Sequence, residues 1–361
     1  MIKASMKTIK IFTNLVYGGW SAKQLETGIG GSEEKLIEWA REMAKENDVT
    51  IYMNGEHGVF DNVKYVDHRE FNAWEHCDVF ISFKNKEIFQ QSINADKRYH
   101  WTTEVEGEWP KYLLDTVDEI WCISDYHRHK MKPQNDKFKT MYLWADFERM
   151  DHNMTISEHK TKSFPKKKNG IFKVGSFDIK LIEREEGSML YCSSFDRGLE
   201  ELLTYWPKVK EKLGVKKLYI TYGWDFMINL IKSNPGLSSW KQKIEELCKQ
   251  DGVEFVGRLS NDEMCKMYWK CQYWCLPLNN PDSELFCINA VKAQYAGCIP
   301  VVRKIGALQE TVGDCINWDE IIGKPNQIST WTDKSIENNI EHVEKFSLNV
   351  RLNEWKEKLE K

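Results

Sequence analysis

The sequence predicts an α/β protein built from two domains, each a doubly wound parallel sheet. Three observations lead to this fold class. The chain has 361 residues, about the length of two domains. Short β-rich runs alternate with helical patterns in both halves, which is typical of parallel sheets covered by helices. A polar segment at 151–169 interrupts the alternation, and we interpret it as the linker between the domains.

In the first half, each predicted strand is a short apolar run. Residues 32–46 place their apolar side chains on one side of a helix. A glycine-rich segment at 27–33 joins the first strand to this helix. The predicted strands are 8–13, 49–53, 63–66, 78–83, 99–103, 120–124 and 140–144.

The second half repeats the alternation. Ser260 and Glu263 stand three residues apart before a helical pattern, and this spacing predicts a capping box. Ligands of doubly wound sheets bind at the carboxyl ends of the strands, so two such sheets facing each other are expected to leave a binding cleft. The predicted strands are 190–194, 218–222, 253–256, 273–278 and 299–303, and the predicted helices include 198–213, 239–250 and 286–295.

Composition narrows the class of partner. The chain has 51 Lys and Arg against 55 Asp and Glu, and the net charge of −4 argues against nucleic-acid binding. No apolar run approaches the ~20 residues of a membrane span, and residues 1–12 lack the apolar core of a secretory signal. We therefore expect a cytoplasmic protein. The basic segment 159–168 is either a surface loop or a patch for peripheral contact with anionic lipid or a charged acceptor.

The ten cysteines do not form a metal-binding pattern. Cys271 and Cys275 are four residues apart, without the second pair that a zinc ribbon needs. In a chain of this length without a secretory signal, we expect reduced, buried thiols. The sequence does not define an oligomeric state.

The segment 27–33 brings two glycines to the start of the first long helix. Gly30 and Gly31 let the backbone approach a ligand, and the helix start offers free N–H groups to an anion. The dinucleotide fingerprint requires another glycine where this sequence has Glu33, so a nicotinamide enzyme is not indicated. A purely structural glycine turn remains the alternative.

Two further segments predict an anion site in the second half. Ser193, Ser194 and Arg197 precede a helix, where hydroxyl, guanidinium and N–H groups suit a diphosphate. The alternative is an N-cap beside a surface arginine. Glu284 stands before another helix, where a carboxylate can orient sugar hydroxyls while nearby amides hold phosphate oxygens.

Taken in order, these motifs resemble those of the family-4 retaining glycosyltransferases, which have the GT-B fold. In the second half, the matching segments are YCSSFDRGLEELL (191–203), LYITYGWD (218–225), VEFVGRLSNDEM (253–264), PDSELFCINAVKAQYAGCIPVV (281–302) and GALQETVG (306–313). In the first half, they are the segments 28–33, 120–130 and 142–149.

The resemblance implies two Rossmann-like domains with separate roles. The second, 170–344, would hold a nucleotide-sugar donor, and the first, 1–150, would hold the acceptor. A last helix within 345–361 would return to the first domain. The implied reaction transfers a sugar to a hydroxyl of a glycan, glycolipid or glycoprotein. No cofactor is expected, and the lack of an Asp-x-Asp motif argues against a metal.

The resemblance also assigns roles to individual residues. Arg197 matches the basic residue that binds the donor diphosphate, and Glu284 matches the first acid of a paired motif, which contacts the donor sugar. The other donor-side residues lie in the N-terminal glycine loop, the diphosphate turn, the turn beside the base and the phosphate-binding backbone: Gly30, Gly31, Ser193, Ser194, Gly198, Gly257, Arg258, Leu259, Leu285, Phe286 and Cys287.

Three positions depart from the family pattern. Lys292 stands where the second acid of the paired motif binds ribose hydroxyls, and an ammonium cannot accept hydrogen bonds. It either contacts phosphate, pairs with another acid or marks lost activity. Cys192 replaces a diphosphate arginine, and Thr103 replaces the histidine of a Trp-x-His-Asp motif. These departures leave open a catalytically impaired GT-B protein that binds a nucleotide, a sugar or a partner.

The acceptor-side candidates are less closely tied to the family motifs. Glu104 takes the place of the motif aspartate, and we expect it, rather than His100, to act at the acceptor. The alternative for His100 is an imidazole buried in the core with its hydrogen bonds satisfied. His127 is either a surface residue or an acceptor or phosphate contact. Trp224 and Asp225 follow a strand at its carboxyl end, and Trp224 either lines the cleft or belongs to the core.

Overall fold

The computed structural model describes residues 6–13, 19–133, 135–154, 172–174, 177–179, 182–224, 228–323 and 331–360. The chain divides into two compact units. One contains Met1–Trp144 and Asn349–Lys361, and the other contains Ala145–Leu348. Most of the predicted linker 151–169 lies outside the described residues.

The first unit is built on a sheet whose described strands run in the order β3-β4-β2-β1-β5-β6-β7-β8. Neighbouring strands are parallel apart from the antiparallel pair β3 and β4. The strands are β1 (Thr8–Phe12), β2 (Asp48–Met53), β3 (Gly58–Phe60), β4 (Val63–Asp67), β5 (Cys77–Phe83), β6 (Ala95–Thr102), β7 (Glu119–Cys122) and β8 (Phe138–Thr140). The helices are α1 (Gln24–Thr27), α2 (Gly31–Met43), α3 (Lys111–Leu114), α4 (Asp125–Lys130) and the last helix α15 (Leu348–Glu360).

An aromatic cluster packs the last helix onto the first unit. The ring of Trp355 lies 4.5 Å from that of Trp101 and 5.1 Å from that of Trp121. It also contacts the rings of Trp39 on α2 and Trp144, at 6.1 and 5.6 Å. All five indoles are buried. The C-terminal end of the chain therefore contributes directly to the core of the first unit.

The second unit contains a parallel sheet in the order β13-β12-β11-β14-β15-β16 and a separate antiparallel pair, β9 and β10. Its strands are β9 (Phe172–Val174), β10 (Phe177–Ile179), β11 (Glu185–Tyr191), β12 (Lys217–Ile220), β13 (Val253–Phe255), β14 (Cys271–Leu276), β15 (Ile299–Val302) and β16 (Ile316–Asn317). Its helices are α5 (Phe147–His152), α6 (Leu199–Thr204), α7 (Trp206–Leu213), α8 (Ile228–Ser233), α9 (Pro235–Leu247), α10 (Asn261–Lys270), α11 (Ile288–Tyr295), α12 (Leu308–Thr311), α13 (Trp318–Ile322) and α14 (Asp333–Glu344).

The predicted strand 140–144 is wrong. β8 ends at Thr140, and Ala145 pairs instead with Ser347 of the second unit. The side chains of Thr140 and Tyr142 both donate hydrogen bonds to an aspartate at the start of α4. The chain leaves the first sheet here, so α5 belongs to the second unit although the first domain was predicted to extend to residue 150.

The predicted helix 198–213 is divided into α6 and α7. Pro207 has no N–H to donate to the preceding turn, so it occupies the first turn of a new helix. The predicted capping box is confirmed. The Ser260 hydroxyl accepts from the backbone N–H of Glu263, and the Glu263 carboxylate accepts from the backbone N–H of Ser260.

Candidate active site

The turn after β11 is held in shape from both ends. The Tyr191 hydroxyl and the Arg197 backbone N–H both donate to the Ser194 carbonyl, at 2.7 and 3.0 Å. Gly198 has φ of 95°, and a Cβ at this position would lie 2.6 Å from the carbonyl oxygen of Pro277. Only glycine fits this backbone. The turn therefore holds Arg197 at the carboxyl end of the sheet, where α/β proteins bind ligands.

Arg197 and Glu284, predicted from separate motifs, form an ion pair. The Arg197 Nη1 donates to the Glu284 Oε2 over 2.7 Å, and the arginine side chain keeps 34% of its surface exposed. Burial raises the pKa of Glu284, against the lowering effect of Arg197 and of hydrogen bonds from Cys287 and Phe286. The negative charge of Glu284 in turn raises the pKa of Arg197. The exposed part of the Arg197 side chain is available to an anionic ligand.

One backbone N–H group near Glu284 has a different partner from the one predicted. The Phe286 amide, expected to hold phosphate, donates to the Glu284 carboxylate. Burial raises the pKa of the Cys287 thiol far above its ordinary value, so this group stays protonated and can donate to the same carboxylate. Both groups therefore position Glu284.

Asn289 and Tyr268, which the sequence analysis did not single out, are linked by hydrogen bonds to the start of the turn after β11. Asn289 Nδ2 donates to the Cys192 carbonyl at 2.8 Å, while its Oδ1 accepts from the Tyr268 hydroxyl at 2.7 Å. Burial raises the pKa of Cys192 to about 12, so its thiol is neutral. Lys292 lies three residues after Asn289 on α11 and is half-buried. These hydrogen bonds of Asn289 join residues 21 and 97 positions apart in sequence, so no local sequence pattern predicts them.

The turn beside β13 leaves space next to its glycine. Gly257 has φ of 82°, and no atom lies within 4 Å of a Cβ built on it. The Arg258 guanidinium lies 5.5 Å from the centre of the Tyr222 ring, a cation–π distance. Leu259 is half-buried. This turn therefore brings a cationic and an aromatic side chain together at the carboxyl end of the sheet.

The remaining second-unit candidates are mostly packed. The Trp224 ring lies 4.5 Å from Phe195 and 5.6 Å from Trp240, so it serves the core at least in part. Asp225 lies outside the described residues. Ser193 and Leu285 are buried, and Ser194 is half-buried.

In the first unit, the predicted glycine loop is covered by a carboxylate of its own helix. Gly30 is the N-cap of α2, and Gly31 is its first residue. A Cβ on Gly30 would lie 2.4 Å from the Glu33 Oε2, so the Glu33 carboxylate folds back over this turn. The Lys84 Nζ donates to the Glu33 Oε1 over 2.9 Å.

Two buried histidines support the loop that carries Glu104. The His127 Nε2 donates to the Glu104 carbonyl at 2.8 Å, and its Nδ1 accepts from the Ile123 N–H. His100 lies 2.6 Å from the Glu106 carboxylate. Neither histidine has exposed surface, so the surface alternative for His127 is wrong, and His100 is a buried imidazole, as its core alternative predicted. The Glu104 side chain itself is 70% exposed.

Three further properties of the chain concern its cysteines, its possible metal sites and the length of its helices. All ten cysteines are free thiols. Within the described ranges, no group of three or more His, Cys, Asp or Glu side chains could hold a metal ion. None of the helices in this described part of the chain is long and apolar enough to cross a membrane.

Comparison with known families identifies the chain. Residues 163–351, more than half of the sequence, match the family model described as glycosyl transferases group 1. The chain belongs to this family and is a transferase. The matched region of this group 1 glycosyltransferase includes Arg197, Glu284 and Lys292. The first-unit candidates lie outside it.

Solved structures share the fold of this group 1 glycosyltransferase. Sucrose-phosphate synthase from Thermosynechococcus elongatus has a TM-score of 0.67 at 12% identity, with 98% of each chain covered. A glycosyltransferase from Rickettsia africae ESF-5 has a TM-score of 0.64 at 12% identity, covering 99% of this chain and 98% of its own. HepE from Anabaena, in complex with UDP and glucose, has a TM-score of 0.60 at 12% identity, covering 98% and 99%. No curated protein matches the sequence. The likenesses show the two-domain GT-B fold.

Proposed function

We propose that the chain is a retaining, metal-independent glycosyltransferase of family 4. It transfers a sugar from a nucleotide-sugar donor to a hydroxyl of a glycan, glycolipid or glycoprotein in the cytoplasm. The observation that carries the proposal is the pairing of Arg197 with Glu284 at 2.7 Å. It places a partly exposed arginine side chain, whose guanidinium suits a diphosphate, beside a carboxylate suited to sugar hydroxyls. The complex of HepE with UDP and glucose supports this class of donor.

The donor-side residues act on the leaving group. As the bond between the anomeric carbon and the diphosphate oxygen breaks, negative charge develops on that oxygen. The Arg197 guanidinium and the hydroxyls of Ser193 and Ser194 offset this charge. The backbone N–H groups that follow Gly198 at the start of α6 add to this effect. Since these groups are cationic or hydrogen-bond donors, leaving-group stabilisation does not require a metal.

The acceptor side supplies a carboxylate to orient the attacking hydroxyl. Glu104 is exposed and follows β6 in the first unit. In the front-face reaction that the family resemblance implies, the acceptor oxygen bonds to the anomeric carbon on the face from which the diphosphate departs. The acceptor proton passes to the leaving phosphate oxygen, so Glu104 orients the hydroxyl without keeping its proton.

Calorimetric titration with a panel of nucleoside diphosphates tests donor binding. UDP comes first because HepE was solved with it. We expect heat with at least one member and none with the matching nucleoside. Absence of heat with every diphosphate would overturn the proposal.

Three further measurements test the reaction itself. Mass spectrometry after incubation with pooled nucleotide sugars and acceptors should detect a product heavier by one sugar. The product should keep the anomeric configuration of the donor by NMR, and an inverted centre would contradict retention. Transfer should persist in EDTA, and its loss with recovery on adding a divalent cation would contradict metal independence.

One observation favours a second candidate function, binding of a nucleotide, sugar or partner without efficient transfer. Lys292 stands on α11 where the resemblance expects the ribose-binding acid. Lys292→Glu distinguishes the two functions. A large gain in transfer would mean that the native chain is impaired, whereas equal or lower transfer from an active native chain would reject this candidate.

A further inference from the structure

Lys84 has an unusual backbone conformation next to the glycine loop. It immediately follows β5 and has φ of 58°, in the left-handed region. Residues with a Cβ rarely adopt this region, and glycine or asparagine would fit it better. Such outliers concentrate at functional sites, where the side chain has a task that outweighs the backbone penalty.

The Lys84 side chain places a nearly buried ammonium between two carboxylates. Its exposed fraction is 9%, and its Nζ lies 2.9 Å from the Glu33 Oε1 and 3.9 Å from the Glu104 Oε1. Glu33 is mostly buried, whereas Glu104 is mostly exposed. The short contact is therefore a fixed ion pair. The longer contact leaves the Glu104 carboxylate able to bind a ligand while it still interacts with the positive charge of Lys84.

The three residues join loops from neighbouring parts of one sheet. β1, β5 and β6 are adjacent in the sheet, and Lys84 and Glu104 follow the carboxyl ends of β5 and β6. Glu33 belongs to α2, which follows β1, and its carboxylate covers Gly30. A second bridge runs from the Thr103 hydroxyl to Ser32 at 3.3 Å. Replacing Lys84 would therefore affect the glycine turn and Glu104 together.

We propose that Lys84 is a positioning residue for the transfer reaction. Its ammonium holds Glu33 over the Gly30 turn and orients the exposed Glu104 carboxylate toward the acceptor hydroxyl. This inference rests on the proposed function. A purely structural ion pair would affect stability but not the rate of transfer by folded protein.

The test compares Lys84 variants of the full chain with a matched lysine. Lys84→Met removes the charge, Lys84→Arg keeps it, and Lys84→Gly removes the charge while favouring the backbone conformation. Lys132 provides the control, because it also has positive φ, 49°, but is exposed. Each variant is assayed for kcat, acceptor KM and the dissociation constant of the bound nucleoside diphosphate.

We expect Lys84→Met and Lys84→Gly to lower kcat by about tenfold or more, as the loss of a charge-assisted hydrogen bond predicts. The dissociation constant of the nucleoside diphosphate should change less than about threefold, since Arg197, Ser193 and Ser194 lie in the second unit and the Glu33 carboxylate covers the Gly30 turn. Lys84→Arg should recover most of kcat, and Lys132→Gly should match the native chain.

The outcomes separate this inference from the proposed function. If the native chain binds diphosphate and transfers sugar, and Lys84→Gly has an unchanged kcat, only the proposed role of Lys84 is contradicted. A native chain with neither binding nor transfer overturns the proposed function, and the role of Lys84 with it. If Lys84→Met fails to fold, Lys84→Gly still tests the proposal, because glycine favours the backbone conformation at this position.

Discussion

The Arg197 guanidinium donates to the Glu284 carboxylate over 2.7 Å, although the two residues are 87 positions apart in sequence. The charge of Arg197, the residue proposed to bind the diphosphate, is therefore partly neutralised by Glu284, the residue proposed to bind the sugar. An incoming diphosphate competes with Glu284 for the same cation. The two side chains should consequently have opposite effects on binding of a nucleoside diphosphate that carries no sugar.

Glu284→Gln should tighten nucleoside diphosphate binding severalfold while it lowers transfer by at least about tenfold. The amide leaves the Arg197 charge uncompensated but no longer holds sugar hydroxyls with an anionic acceptor. Arg197→Ala should weaken binding and slow transfer by one to two decades, corresponding to about 1.5–3 kcal/mol for a hydrogen bond to a charged group. Calorimetry and a product assay measure the two quantities.

Arg149→Ala is the matched control for these variants. Arg149 forms an ion pair of the same length, 2.7 Å, with Asp262 in the second unit, but neither residue belongs to the candidate site. Its replacement should leave diphosphate binding unchanged. Weaker binding by Glu284→Gln would contradict the proposed competition for Arg197.

Gly198→Ala should lower the free energy of unfolding more than Gly214→Ala. Both glycines have positive φ, 95° and 66°, so alanine costs about 1–2 kcal/mol at either position. A Cβ at Gly198 also lies 2.6 Å from the Pro277 carbonyl, whereas nothing lies within 4 Å at Gly214. Overpacking adds about 1–3 kcal/mol at the first position. Urea denaturation measures both losses, and equal losses would contradict the close approach.

The donor-side motifs could be recognised in the sequence, because each lies within a few consecutive residues, and their role in donor binding stays a prediction. Arg197 and Glu284 could be identified separately, but their pairing depends on contacts between distant segments. The burial of His127 was not predictable from α4, whose sequence DYHRHK is polar throughout. Lys84 was not predicted, because its positive φ and its ion pair with Glu33 both depend on tertiary packing.

Trp355→Ala should lower the free energy of unfolding of the first unit by about 3–5 kcal/mol, the usual loss for a buried tryptophan. Its ring packs against Trp39, Trp101 and Trp121, so the substitution leaves a cavity under the last helix. Trp74, which is 77% exposed, provides the control. Its replacement by alanine should change stability by less than about 0.5 kcal/mol. Similar losses in the two variants by chemical denaturation would contradict the packing of α15.

His127 should make the protein less stable as the pH falls from neutrality toward 4. Burial lowers the pKa of His127 from 6.5 to about 4, so its ring stays neutral in the folded chain while the unfolded chain takes up a proton. Between these two pH values the unfolded state binds more protons than the folded state. The free energy of unfolding therefore decreases as the pH decreases.

The loss attributable to His127 is about 3 kcal/mol, at 1.36 kcal/mol per pKa unit. Urea denaturation at pH 7 and pH 4 measures it as the difference between the native chain and His127→Gln, whose stability should fall less over the same interval. NMR titration supplies the direct check: a ring with a pKa of about 4 is only about one-tenth protonated at pH 5, so the His127 ring resonances should move little between pH 7 and pH 5. A ring that titrates near 6.5 in the folded chain would contradict its burial beneath the Glu104 loop.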